Sequence, residues 1–323
     1  MKKIFIVSVA LLFTLKTFAA ATDKNRIALK FAPVVVAVID TGADIHHKDL
    51  KEFIWTNPGE SGLDKFGNNK ETNKIDDDGN GFADDIHGWN FVDNNNDVSD
   101  DVGHGTHISG IIKREFNRHT GGQLPNSTFV PSVRLMILKY YDPHGKNQNN
   151  LNNSTRAIQY ANKMKVKVIN YSGGGGESNV AERVALHKSL QENILVVAAA
   201  GNNFSNTDIK KYYPANYALK NIISVAATNR SGELMPFSNY GRLSVDIAAP
   251  GKWILSTLPQ NKYGVMSGTS QATAFVTGVV AKLIALNNRN TAGVYPQLLS
   301  VATFKKELQG KTKNQLAIIS NSN

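Results

Sequence analysis

The chain has 323 residues, 41% of them hydrophobic and 19% charged, ordinary values for a soluble protein with a large packed core, in one large domain or two smaller ones. It contains no cysteine, which excludes disulfide staples and thiolate-bound metals. The formal net charge of +10 is carried partly by Lys305, Lys306, Lys311 and Lys313; without a nucleic-acid motif or interleaved aromatic residues, this reads as a solvated basic surface with no nucleic-acid partner.

In chain order, Lys2 and Lys3 precede an apolar run from Ile4 to Leu15, and Ala19, Ala20 and Ala21 form a small-residue cleavage site. This predicts a secretory signal peptide over 1–21, with a single folded domain over 22–323 and no stable membrane anchor. Lys16 interrupts the run, and no later segment is read as apolar enough to span a bilayer. Export without cysteines leaves stability to packing and to a bound ion.

Val34 to Ile39 is a continuous, mostly β-branched run ending at Asp40-Thr41-Gly42, the pattern of a buried parallel strand followed by a turn. Residues 56–101 are rich in Asp, Asn and Gly and read as one long functional insertion. Further strands are predicted at Val133–Leu138, Val166–Ile169, Ile194–Ala199, Ile222–Ala226 and Val245–Ala248. Helices are predicted at Ser154–Lys163, Asn179–Gln191 and Ser270–Leu286, the last with a close-packing Gly278. Alternating strands and helices predict an α/β fold with a mostly parallel sheet covered by helices on both faces. In such sheets, sites form where strand carboxyl ends meet loops. The stretch from Asn287 onward carries little signal.

Three short motifs carry chemistry. Asp40 ends a buried strand, where a carboxylate needs a hydrogen-bond partner; taken alone, Asp-Thr-Gly is equally an Asx-turn. His104 lies in Gly103-His104-Gly105-Thr106-His107, where small residues suit a tightly packed helix start. The two histidines also suggest a metal pair, but the acidic residue of the zinc-protease pattern is missing. Ser270, in Ser267-Gly268-Thr269-Ser270-Gln271-Ala272, opens a long helix either as its cap or as a nucleophile whose own N–H faces an oxyanion.

Together these blocks resemble those of the subtilisin-like serine proteases: Val38-Ile39-Asp40-Thr41-Gly42, His104-Gly105-Thr106-His107 and Gly268-Thr269-Ser270, with a fourth at Val196-Val197-Ala198-Ala199-Ala200-Gly201-Asn202. The chain order Asp, His, Ser is that of subtilisin. The resemblance runs from about Val34 to Ala285 and implies a three-layer subtilisin-like fold. It also implies a serine endopeptidase with Ser270 as nucleophile, His104 as base, Asp40 orienting it and Asn202 donating to the oxyanion. Protein or peptide substrates would bind as extended strands to a monomer, along Ser172, Gly173 and Gly174 on one side and Ala199, Ala200 and Gly201 on the other. Tyr212 and Tyr213 fall where the family places part of the pocket floor. The family's larger apolar residue near Gly173 is absent, which predicts a wider, less selective groove. A non-catalytic peptide-binding protein on the same scaffold and an acyl-enzyme peptide ligase are the alternatives.

Residues 76–85 read Asp-Asp-Asp-Gly-Asn-Gly-Phe-Ala-Asp-Asp. Asp76, Asp78, Asn80, Gly81 and Asp84 match positions 1, 3, 5, 6 and 9 of an EF-type calcium loop, with the Phe82 carbonyl adding a ligand. His87 stands where such a loop has Glu, and Asp85 is expected to substitute; the alternative is a solvated acidic turn. Structural Ca²⁺ is therefore expected. Three features depart from the family pattern: Ala274 replaces the proline four residues after the nucleophile, the Asp40-to-His104 interval is long, and only Thr22 to Pro33 separate the leader from the first strand. The last leaves either maturation without a folding pro-segment or one supplied by another protein.

Overall fold

The computed structural model describes residues 32–118, 132–144 and 149–319; the proposed leader lies outside them. The elements, in chain order, are β1 (Val34–Asp40), β2 (Gly88–Asn90), α1 (His104–Asn117), β3 (Val133–Lys139), α2 (Asn150–Lys163), β4 (Val168–Tyr171), α3 (Val180–Gln191), β5 (Leu195–Ala199), β6 (Ile222–Thr228), β7 (Ile247–Pro250), β8 (Ile254–Leu258), β9 (Lys262–Met266), α4 (Thr269–Leu286), α5 (Val294–Ser300), β10 (Thr303–Phe304) and β11 (Leu316–Ala317).

The main sheet has nine strands in the order β2-β3-β1-β4-β5-β6-β7-β11-β10. Every pairing is parallel except that of β10 with β11. β8 and β9 form a separate antiparallel hairpin. Alternation along β1 shows why its apolar run is continuous. Val34, Val36 and Val38 pack with Ile108 and Ile111 of α1 and with Val276 and Val280 of α4. Ala37 and Ile39 face the opposite way, with Ala157 and Ile158 of α2 and Leu186 of α3. A strand buried on both faces has no polar side to expose. The result is the three-layer α/β arrangement expected, with α1, α4 and α5 on one face and α2 and α3 on the other.

Most predicted elements are present, with shifted ends. The Val166 strand starts at Val168 and the Val245 strand at Ile247. Asn149 caps α2 by accepting from the Asn152 N–H, so that helix begins a turn before Ser154. Asn179 is the cap of α3 rather than its first residue. One expectation is corrected: Thr269–Leu286 is apolar and long enough to cross a membrane by composition, yet 83% of that window is buried inside the protein. It is the core helix, apolar on nearly every side because neighbours surround it. The buried Ala274 sits within it without disturbing its course. The segment beyond Asn287, uninformative in sequence, adds α5 and a sheet edge.

Candidate active site

Because β1, β4 and β5 run parallel, their carboxyl ends lie on one edge of the sheet. Asp40 ends β1, Ser172 follows β4, and Asn202 lies three residues past β5. Helices α1 and α4 start at the same edge, and their first turns carry His104 and Ser270.

Asp40 is buried, and its Oδ1 accepts the Thr41 N–H at 2.8 Å and His104 Nδ1–H at 2.6 Å. With Nδ1 donating, a neutral His104 keeps its lone pair on Nε2. Burial disfavours the imidazolium, but the charge and hydrogen bond of Asp40, with a contribution from Asp100, outweigh it and hold His104 above its ordinary value. The close approach depends on Gly105: a side chain there would run into the Gly42 carbonyl and lie 3.1 Å from Asp40 Cβ. Asp100, which sequence reasoning passed over, organises the entry to α1. Its Oδ1 accepts from the Thr41 hydroxyl and the Gly103 N–H, and its Oδ2 from the N–H and hydroxyl of Thr106.

Ser270 is the second residue of α4, so its N–H has no intrahelical partner. Its hydroxyl donates to the Ser172 carbonyl at 2.8 Å. The β4 end and α4 are tied further by the Ser172 hydroxyl donating to the Ser270 carbonyl, and by the Thr277 hydroxyl donating to Asn170 Oδ1. His104 and Ser270 line adjacent cavities that share Ser172, Tyr140 and Tyr141. No hydrogen bond joins Ser270 to His104; the hydroxyl would have to turn about the Cα–Cβ bond away from Ser172 to face the imidazole.

Asn202 uses its side-chain oxygen to accept from the Thr269 N–H at 2.9 Å and the Thr269 hydroxyl at 3.0 Å. That fixes the amide so that Nδ2 faces the helix start. An atom built on the Gly268 Cα would lie 3.6 Å from Asn202 Nδ2 and 3.7 Å from the Ser270 nitrogen. The same point lies 2.8 Å from Gln271 Oε1, so it marks only that the two N–H donors sit on one side of the Gly268 turn, near the helix start where an oxyanion site would form.

The cavity beside Ser270 has a volume of about 530 Å³. Ser172, Gly173 and Gly174 line it as expected. The opposite wall differs from the sequence expectation. Asn202, Tyr212 and Tyr213 form it, while Ala199, Ala200 and Gly201 are buried behind, the Tyr212 ring resting 3.0 Å from where a Gly201 side chain would begin. The absent side chain at Gly173 does not leave a gap either, because the Tyr140 phenol occupies that position.

In the acidic insertion, carboxylate oxygens of Glu60, Asp78 and Asp85 lie within 4.8 Å of one another. Glu60 and Asp85 are buried, and no ion pair to these three carboxylates occurs among the described residues. Burial pushes Asp85 up to about 6 against hydrogen bonds from Tyr160, Asn57 and Asn80. Three carboxylates this close, hydrogen-bonded but without a cationic partner among the described residues, fit a hard cation. Of the expected ligands, Asp78 and Asp85 belong to this group, and Glu60 joins them. Asp76 accepts from the Asn80 and Gly81 N–H groups, one on each oxygen, and Asp84 accepts from the Lys74 N–H. The Phe82 ring packs edge-on against Trp89 and Tyr160, and Asn80 donates to Asp78 and Asp85. Glu60, sixteen or more positions from the acidic run, was missed because only folding brings it there.

Fold and site together define the class: a three-layer α/β protein with the carboxylate, imidazole and hydroxyl of a serine hydrolase gathered at one sheet edge. The chain belongs to the subtilase family: a model of the Subtilase family matches residues 32–321. It is 36% identical over 255 residues to a thermophilic serine proteinase of Bacillus sp. (strain AK1), covering 79% of this chain and 53% of that one. It is 33% identical over 259 residues to thermitase of Thermoactinomyces vulgaris, covering 80% and 77% of the two chains. The chain thus spans about half the length of the first relative and 17% of a Subtilisin-like protease 2 of Plasmodium falciparum. Among solved structures, a cold adapted subtilisin-like serine proteinase superposes with a TM-score of 0.64 at 26% identity, over 90% of this chain and 89% of the other.

Proposed function

We propose that this protein is a secreted serine endopeptidase. The observation that carries the reading is the 2.6 Å bond from His104 to Asp40 in a cavity that shares Ser172, Tyr140 and Tyr141 with the one Ser270 lines. Ser270 Oγ attacks the scissile carbonyl carbon, and His104 Nε2 takes the hydroxyl proton. Asp40 holds the tautomer and stabilises the imidazolium. The carbonyl oxygen, now negative, receives N–H bonds from Asn202 Nδ2 and the Ser270 backbone. His104 passes its proton to the leaving amine, which departs as the C–N bond breaks. Water then hydrolyses the ester with His104 again as base.

Export through the 1–21 leader and folding of 22–323 as one monomeric domain complete the reading. Glu60, Asp78 and Asp85 would hold a Ca²⁺ ion, whose role is to neutralise and order the insertion. The Ser270 hydroxyl bond to Ser172 is the one feature favouring a non-catalytic binder, since it turns the proton from His104. A fluorophosphonate probe separates the readings: the purified wild-type protein should label on Ser270 and hydrolyse casein. Absence of both would overturn the peptidase reading; amide products with added amines in place of acids would favour the ligase.

A further inference from the structure

The cavity beside Ser270 contains a charged group that neither the catalytic reading nor the family blocks account for. Glu182, in the first turn of α3, lines it together with Ser270. The residue is 1% exposed. Its Oε2 accepts from the Tyr217 hydroxyl at 2.8 Å, and its Oε1 from the Tyr171 hydroxyl at 3.3 Å. Both partners are neutral, and among the described residues no basic side chain lines the cavity, where Glu177 is the one other charged residue. Glu177 is exposed at the rim.

A buried carboxylate is costly unless paired. A residue placed to cap a helix would send its carboxylate back to the N-cap N–H. Here Tyr217 takes that N–H instead, accepting it from Asn179 at 2.8 Å, and Glu182 is directed to the tyrosines on the cavity side. Burial holds its carboxyl above the ordinary value, against both tyrosine hydroxyls. The wall therefore combines two acids with the rings of Tyr140, Tyr141, Tyr171 and Tyr212. Aromatic faces and a carboxylate together suit a cationic side chain, above all a planar guanidinium.

We propose that Glu182 is a specificity-determining residue that makes this cavity select substrates presenting an arginine or lysine side chain. The inference rests on the peptidase reading and names the substrate class for that site. An arriving cation satisfies a carboxylate that two neutral hydroxyls only partly compensate. An apolar side chain of equal size leaves it buried and unpaired, and a site so built rejects the analogue lacking the matching group. The selectivity would come from the wall's charge, not from a change in the catalytic groups.

The test uses the wild-type protein and a peptide library, with each arginine-containing substrate synthesised again with citrulline, its neutral isostere. Arginine peptides should be cleaved with a kcat/KM about ten- to a hundredfold higher than their citrulline twins. Glu182→Gln should bring the two values together, mainly through KM for the arginine substrate. If that variant fails to fold, the arginine-to-citrulline ratio on the wild type alone decides. Labelling of Ser270 with equal cleavage of both twins overturns the role of Glu182 and leaves the peptidase reading intact. Neither labelling nor cleavage of any peptide overturns both.

Discussion

Asp40 Oδ1 and His104 Nδ1 are 2.6 Å apart although 64 positions separate them, and Gly105 is what lets the helix carrying the imidazole approach that closely. The consequence is a histidine held above its ordinary value by the neighbouring carboxylate. Only the neutral imidazole accepts the Ser270 proton, so activity is present above that pKa and lost as pH falls through it. The acid limb of kcat/KM should have its midpoint above the ordinary histidine value. Asp40→Asn removes the charge that raises it and disfavours the productive tautomer; kcat should fall about 10⁴-fold. A midpoint below the ordinary histidine value would contradict the coupling.

Ser270→Ala should lower kcat by about 10⁶-fold, with circular dichroism and melting temperature close to wild type. The hydroxyl makes one bond, to the Ser172 carbonyl, so its removal costs only about 1 kcal/mol of stability. Casein hydrolysis by the variant at the wild-type rate would remove Ser270 from the chemistry.

Asn202→Asp retains the oxygen that accepts from Thr269 but deletes the Nδ2–H donor and sets a negative charge beside the developing oxyanion. Steady-state kinetics should show kcat lower by at least about 10²–10³-fold with KM nearly unchanged. A loss confined to KM would place Asn202 in ground-state binding instead.

Gly278 joins the two helices that carry His104 and Ser270. A Cβ there would lie 2.7 Å from Glu115 Cβ and 2.7 Å from the Ile112 carbonyl oxygen. Gly278→Ala should therefore cost about 1–3 kcal/mol in denaturant unfolding, because helix propensity cannot compensate for the clash. By displacing α1 from α4 it should also lower kcat. Unchanged stability would mean that the interface relaxes freely.

Chelation with EGTA should lower the melting temperature by several degrees. A cation bound only by the folded state, at a hundred times its Kd, stabilises by about 2.7 kcal/mol. Asp78→Asn, which removes one carboxylate of the group with Glu60 and Asp85, should abolish that response. If the wild-type melting temperature is indifferent to chelator, the group holds no stabilising ion.

What the sequence by itself determined is what covalent neighbours can encode. The doubly buried β1 ending at Asp40, the Gly after His104 and the helix opening at Ser270 are each written within a few residues. Their types and chain order sufficed for the fold class and for the residues of the candidate triad. Tertiary structure alone decided which distant groups share a space. Glu60 joins Asp78 and Asp85, Tyr140 fills the room beside Gly173, Tyr212 covers Gly201, and Glu182 turns into the cavity instead of capping its helix. These placements follow from how strands and helices pack across long separations, and local periodicity holds no record of which side chain a packed neighbour will displace or admit.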